Sequence, residues 1–361
     1  MRIGVGLDAR LDLSLGQLGE AAREAERLGF QSVWSPAGGV PDAFHICSAW
    51  AQATGLRTGI SVVPAARMWH PRSLAAQAAT VGLISGGRFA LGIGTGGSGP
   101  GFWSSVGMPD RPIAVMRDFL AIVRPLLAGE TVDYRGEVLE VRGASLGARD
   151  LPPVPVHLAA LGRQMLRLAG QASDGALLNW ATPARVAESR SLVAEGAREA
   201  GRQPADVPLT MYVRVCIDPD VGAARTALAK QVLSYAMSVP GAPLTSGYRG
   251  LFGQMGFDEV LRELEERRDK GSRLDELARA APEELITSVG YYGPPGPGAA
   301  AAGTYAKLSE GLDETIVRVV TARPGLEAVV TAMEALAPAK IRAAAAESAL
   351  SEPTRTRQAW P

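Results

Sequence analysis

The sequence predicts a (β/α)8 barrel of the TIM type, carrying insertions. Three observations lead there. Eight short segments of strand character recur along 361 residues, they are apolar on both faces, and helical segments separate them. A doubly wound sheet shares the last two properties, but eight strands in sequence favour closure into a barrel.

Met1 to Leu7 reads as a buried strand. Ser14 caps a helix to about Leu28, with Leu15, Leu18, Ala22, Ala25 and Leu28 at helical spacing, and Gly29 stops it. Ser32–Ser35 is the second strand, Ala43–Ala53 a helix, and Leu56–Val63 the third strand. Pro71 opens the next helix at a position that needs no N–H donor. Phe89–Gly94 is the fourth strand and Ile113–Leu127 a helix. Val156–Leu161, Ala176–Leu178, Leu209–Ile217 and Thr315–Val320 complete the eight, with helices over Arg163–Ala172 and Pro183–Ala200. Three insertions interrupt the repeat: a β-hairpin at 131–142, a partly charged helical stretch at 234–279, and a Gly/Pro/Ala-rich loop at 293–303. Residues 1–337 are expected to form one domain. Residues 338–361 are expected to form a C-terminal tail or a contact with a second subunit.

Composition narrows the function classes. The 37 basic and 37 acidic residues cancel, which argues against a uniformly basic surface for nucleic acid or anionic membrane. No window holds 18 apolar residues without charge, so no membrane span is expected. Cys47 and Cys216 have neither disulfide nor metal spacing and read as core residues of a cytoplasmic protein. No metal site is expected.

The run Ser85–Gly97 is the most informative stretch. A turn feeds a short strand that empties into Gly94-Thr95-Gly96-Gly97. Gly92, Gly94 and Gly97 satisfy the dinucleotide pattern G-x-G-x-x-G. The pattern should open a helix in the first βαβ unit, whereas here three units precede it and Ser98-Gly99-Pro100-Gly101 follows. It is read instead as a ligand loop at the C-terminal mouth of a barrel strand; a tight turn without a ligand is the plain alternative.

With Arg67–Pro71, Pro155–Gly162 and Ala172–Pro183, this run resembles the bacterial luciferase-like superfamily, and within it the branch dependent on the deazaflavin coenzyme F420. FMN is the alternative cofactor. The resemblance implies a planar cofactor across the strand C-termini and a cis Ser61–Val62 peptide behind its ring. It implies cofactor contacts from Ser35, Ser61, Val62, Gly94, Thr95, Gly96, Gly97, Ala160, Leu161, Gly162, Arg163, Asn179, Trp180 and Thr182. Backbone N–H groups at Gly162 and Arg163 would hold its phosphate. Trp180 as core filler is the competing reading. Trp69, Arg249 and Arg323 are candidate substrate contacts, with solvated surface the alternative for both arginines.

The chain also departs from the family pattern. Many members carry an Asp-His pair where this chain has Trp34-Ser35-Pro36, and some carry a glutamate where Gly97 stands. The branch it resembles includes a deazaflavin-dependent sugar-phosphate dehydrogenase, and the acid–base groups that the resemblance would imply for that reaction are absent here. His70 is expected to position a turn and His157 to sit in the core. His45 and Tyr248 remain as acid–base candidates. The expectation is an F420-dependent oxidoreductase, a homodimer acting on a small molecule or peptide. It would reduce an activated C=C or C=N bond, for example in a dehydroamino acid of natural-product biosynthesis. An FMN-dependent monooxygenase and a non-catalytic ligand-binding member are the rivals.

Overall fold

The computed structural model describes residues 1–7, 9–97, 101–296 and 299–351. Eight parallel strands close into a barrel: β1 (Arg2–Gly6), β2 (Ser32–Ser35), β3 (Arg57–Pro64), β4 (Phe89–Gly94), then, past the hairpin strands β5 (Val132–Arg135) and β6 (Glu140–Ala144), β7 (Val156–Ala159), β8 (Gly175–Asn179), β9 (Leu209–Ile217) and, past the short β10 (Gly290–Gly293), β11 (Glu314–Val320). The cyclic order is β1-β2-β3-β4-β7-β8-β9-β11, and β11 returns to β1 with Arg2 opposite Glu314 and Gly6 opposite Arg318. The eight predicted strands are these eight. Strand β10 was not predicted; it pairs with residues 214–217 of β9, while β8 takes residues 209–212 of the same strand.

Helices cover the barrel because each presents an apolar stripe to it. In Leu15–Arg27, Leu18, Ala21, Ala22 and Ala25 are buried, and Ser14 closes a reciprocal capping box with Gln17. His70 does position a turn: its ring nitrogen accepts from the Arg72 N–H at the start of helix Pro71–Ser85. The hairpin lies outside the barrel as predicted. Buried Asp118 anchors it, accepting from the Val138 and Leu139 amides and the Tyr134 hydroxyl, each at 2.8 Å.

Inside the barrel, side chains fill the bore in layers. At the N-terminal end Glu314, fully buried, accepts from Ser32 and Trp34 and pairs with Arg2 and Arg57. Above it the Trp34 indole lies where a Cβ on Gly59 would stand, 2.3 Å from ring carbon. His157 shares this layer, buried as expected, but its Nδ1 has no hydrogen-bond partner.

Two segments differ from expectation. Residues 299–303, predicted to end a loop, instead open the helix Ala299–Leu308, whose Ala302 and Tyr305 are buried against the barrel. Within the expected tail, Pro338–Ser351 is a helix whose Ile341 and Ala344 join the core; residues 352–361 lie outside the described residues. The 234–279 insertion contains helices Gly247–Phe252, Asp258–Asp269 and Leu274–Ala280. Phe252, Leu261, Leu264 and Leu277 pack there with Leu228 and Val232 of helix Val221–Ala236 into a second core.

Candidate active site

The strand C-termini divide the barrel mouth into two unlike halves. On β3, β4 and β7 the rim is main chain and small side chains. The Ser61–Val62 peptide is cis, as expected, and the β3–β4 register shifts between Ile60 and Val63. Both residues are half-buried, and the Val62 carbonyl accepts from Ala37 N–H at 3.2 Å, tying the β2 exit to this bulge. Ser35, 1 % exposed, is turned toward its own neighbour, donating to the Pro36 carbonyl. Beside them, Gly96 has φ +91°, and a Cβ there would lie 2.3 Å from Pro64 Cβ, so no larger residue fits this turn. Thr95 Oγ1 donates to the Gly97 carbonyl at 3.4 Å, closing the loop on itself. Residues 98–100, which extend this loop, lie outside the described residues.

At the β7 exit, Gly162 precedes helix Arg163–Ala172. No side chain caps this helix, and a Cβ on Gly162 would meet nothing within 4 Å. An uncapped helix start with an uncrowded glycine before it suits an anion such as a cofactor phosphate, at the positive end of the helix dipole. Arg185, mostly buried, fixes the preceding turn by donating to the Leu161 carbonyl at 2.6 Å. Thr182 caps the next helix by accepting from Arg185 N–H, and Arg163 is exposed beside Glu188.

The half built on β8, β9 and β11 is aromatic and cationic. β9 alternates, so Thr210, Tyr212 and Arg214 face the bore while Met211, Val213 and Val215 face the helices. Arg214 is 3 % exposed; its guanidinium lies 3.6 Å from the Trp180 ring centroid and donates to Asn179 Oδ1 at 2.5 Å. Asn179 Nδ2 in turn donates to the Tyr248 hydroxyl at 2.7 Å. Tyr235 stands edge-on to Tyr248, with ring centroids 4.9 Å apart, and accepts from Arg10 at 3.4 Å. Arg318 lies beside Arg214 across the β9–β11 pairing, and Gly6 leaves room for it.

Burial sets the electrostatics here. It pushes the Arg214 pKa down to about 10, so the cation persists at neutral pH. It pushes Tyr248 up, ahead of the smaller opposing effect of the Asn179 bond. At Tyr235 burial acts upward but is outweighed by Arg214 and Arg10, and the phenol titrates below its ordinary value.

The structure thus brings together Asn179, Trp180 and Tyr248 of the predicted residues, and Trp180 serves both as packing and as the platform under Arg214. It separates others. Arg249, predicted to touch substrate, is 3 % exposed and enclosed by Glu265 and Asp258, because the insertion's own core needs its charge paired there. Arg323 is largely exposed and forms a bidentate pair with Asp218. The His45 ring points to solvent against Asp42, which caps its helix. Trp69 packs edge-on to Phe44 at 5.4 Å with a buried Nε1 that lacks a partner. Arg214, Tyr212 and Tyr235 were missed from sequence. The alternation of Leu209–Ile217, which places a tyrosine and an arginine on the bore face of an otherwise apolar strand, was the signal available.

Comparison with known proteins agrees with this architecture. The luciferase-like monooxygenase family matches residues 1–309. A 5,10-methylenetetrahydromethanopterin reductase of Methanolobus tindarius is 31% identical over 229 residues, 62% of this chain and 67% of that one. An F420-dependent glucose-6-phosphate dehydrogenase of Beutenbergia cavernae is 33% identical over 210 residues, 54% of this chain and 62% of that one. The chain thus spans about two thirds of the length of the curated relatives it matches. Among solved structures, the coenzyme F420-dependent tetrahydromethanopterin reductase of Methanopyrus kandleri superposes with a TM-score of 0.75 at 22% identity, covering 92% of this chain and 97% of that one. The main-chain rim, the closed barrel and the match over residues 1–309 together show that this chain belongs to the luciferase-like monooxygenase family.

Proposed function

We propose that this protein is an oxidoreductase that uses coenzyme F420 and reduces an activated C=C or C=N bond of an organic substrate. The relatives named as F420-dependent support the cofactor. The observation that carries the reading is the main-chain half of the mouth: Ser61–Val62, Gly94–Gly97 and the uncapped helix start at Gly162–Arg163 offer backbone to a flat, phosphorylated ligand. The bound deazaflavin would supply the hydride.

The chain's own residues would supply the rest. The N–H groups at Gly162 and Arg163 would hold a phosphate, and the glycines of the β4 exit would allow close approach. Tyr248 is the acid the network favours. Its oxygen already accepts from Asn179, so its own proton is left to donate, and burial keeps it protonated at neutral pH. With no histidine at the β2 exit, an alcohol has no base beside it there, which favours reduction. A dehydroamino acid is one acceptor of this kind.

Titration of the purified protein with F420 and with FMN, followed by fluorescence, tests the cofactor. Saturable F420 binding with none for FMN is expected. FMN binding with no F420 binding would overturn the proposal.

A further inference from the structure

We propose that Arg214 binds an anionic oxygen group, a carboxylate or a phosphate, carried by the substrate. This rests on the functional reading above and names the substrate class it left open.

Among the described residues, two other buried arginines are matched to carboxylates: Arg249 pairs with Glu265 and Asp258, and Arg185 with Glu188. Arg214 is different. Among the described residues its partners are neutral: the Asn179 amide, the Trp180 ring, and the phenol rings of Tyr212 and Tyr235 at 5.9 and 5.4 Å. A guanidinium has five N–H donors and cannot accept, so the Asn179 oxygen and the Tyr235 hydroxyl, both neutral, leave part of its capacity unused. It is also buried, where a charge without a counter-ion is unfavourable and an arriving anion would be strongly held.

The surroundings fit an incoming oxyanion. Trp180 fixes the guanidinium plane from one side, which preorganises the fork for two-point contact. Tyr235 and Tyr248, both half-buried, bring hydroxyl groups to the same place. The β9–β11 pairing sets the second cation, Arg318, alongside. The carboxylate that follows β9, Asp218, is neutralised by its bidentate pair with Arg323. Strand β8 stands between β9, which carries Arg214, and β7, which leads to Gly162, so an anion on Arg214 is assigned a different strand end from a phosphate at Gly162.

Isothermal titration of the protein with inorganic phosphate and with cinnamate, an unsaturated carboxylate, tests this without turnover. Each is run alone and again with saturating F420. Saturable binding of at least one probe is expected, retained in the presence of F420, and the probe that binds identifies the source of the anion. Arg214→Gln should weaken it by roughly 10- to 100-fold. Arg214→Lys, which keeps the charge but loses the fork, should retain part of it, and both variants should bind F420 within about threefold of wild type. Binding of neither probe, unchanged binding in Arg214→Gln, or displacement of the probe by F420 would overturn the assignment. A protein that binds a probe through Arg214 but never binds F420 would instead overturn the cofactor reading and leave this one standing.

Discussion

Replacing Arg249 with methionine removes the cation from a buried cluster in the 234–279 insertion. Arg249 Nε donates to Glu265 Oε1 at 3.0 Å and Nη1 to Asp258 Oδ1 at 2.8 Å. The two losses are unequal. Asp258 is about half exposed and keeps Arg262, so its share is small. Glu265 is 6 % exposed and, among the described residues, keeps the Ser238 N–H at 2.7 Å as its hydrogen-bond donor. Stranding one buried partner typically costs about 3–5 kcal/mol, whereas removing both charges together is near neutral. Arg249→Met should therefore destabilise by about 3 kcal/mol or more, and Arg249→Met/Glu265→Leu should recover most of it. Urea unfolding followed by circular dichroism, analysed as a double-mutant cycle, measures this. A single-variant loss under about 1 kcal/mol, or no coupling between the two positions, would refute the reasoning from burial. A recovered double variant would show that the Arg249 charge serves to match Glu265 in the insertion's core.

Burial lowers the His157 pKa from its ordinary 6.5 to about 4. Between those values the unfolded chain takes up a proton that the folded chain refuses, so stability should fall as pH falls from 6.5 to 4, by roughly 3 kcal/mol, and be flat in this component above 6.5. His157→Gln should remove that component, which urea midpoints at pH 7 and pH 4.5 will show by comparison with wild type. Gly96→Ala forces a Cβ against Pro64 at a positive φ, so F420 affinity by fluorescence titration should drop at least tenfold; unchanged affinity would sever the β4 loop from the cofactor. Tyr248→Phe should lower kcat by about 10²-fold or more while F420 affinity stays within a few fold, and a kcat near wild type would remove this residue as the acid.

Much of this molecule was legible in its residues. Strand and helix positions are set by local periodicity, so all eight barrel strands, the hairpin and the glycine-rich β4 exit could be read directly, and their number implied closure. Conformation confined to one or two neighbouring residues was also readable, as at the helix starts of Ser14, His70 and Pro71. The fate of individual charged side chains was not. Whether Arg249 meets substrate or Glu265, and whether Arg214 meets a carboxylate or an indole, depends on residues 16 and 34 positions away in the chain. Helix Ala299–Leu308 was likewise decided by a barrel face it could cover. Burial and charge pairing are properties of what packs against a residue, and only the closed barrel with its insertion in place brings those partners together.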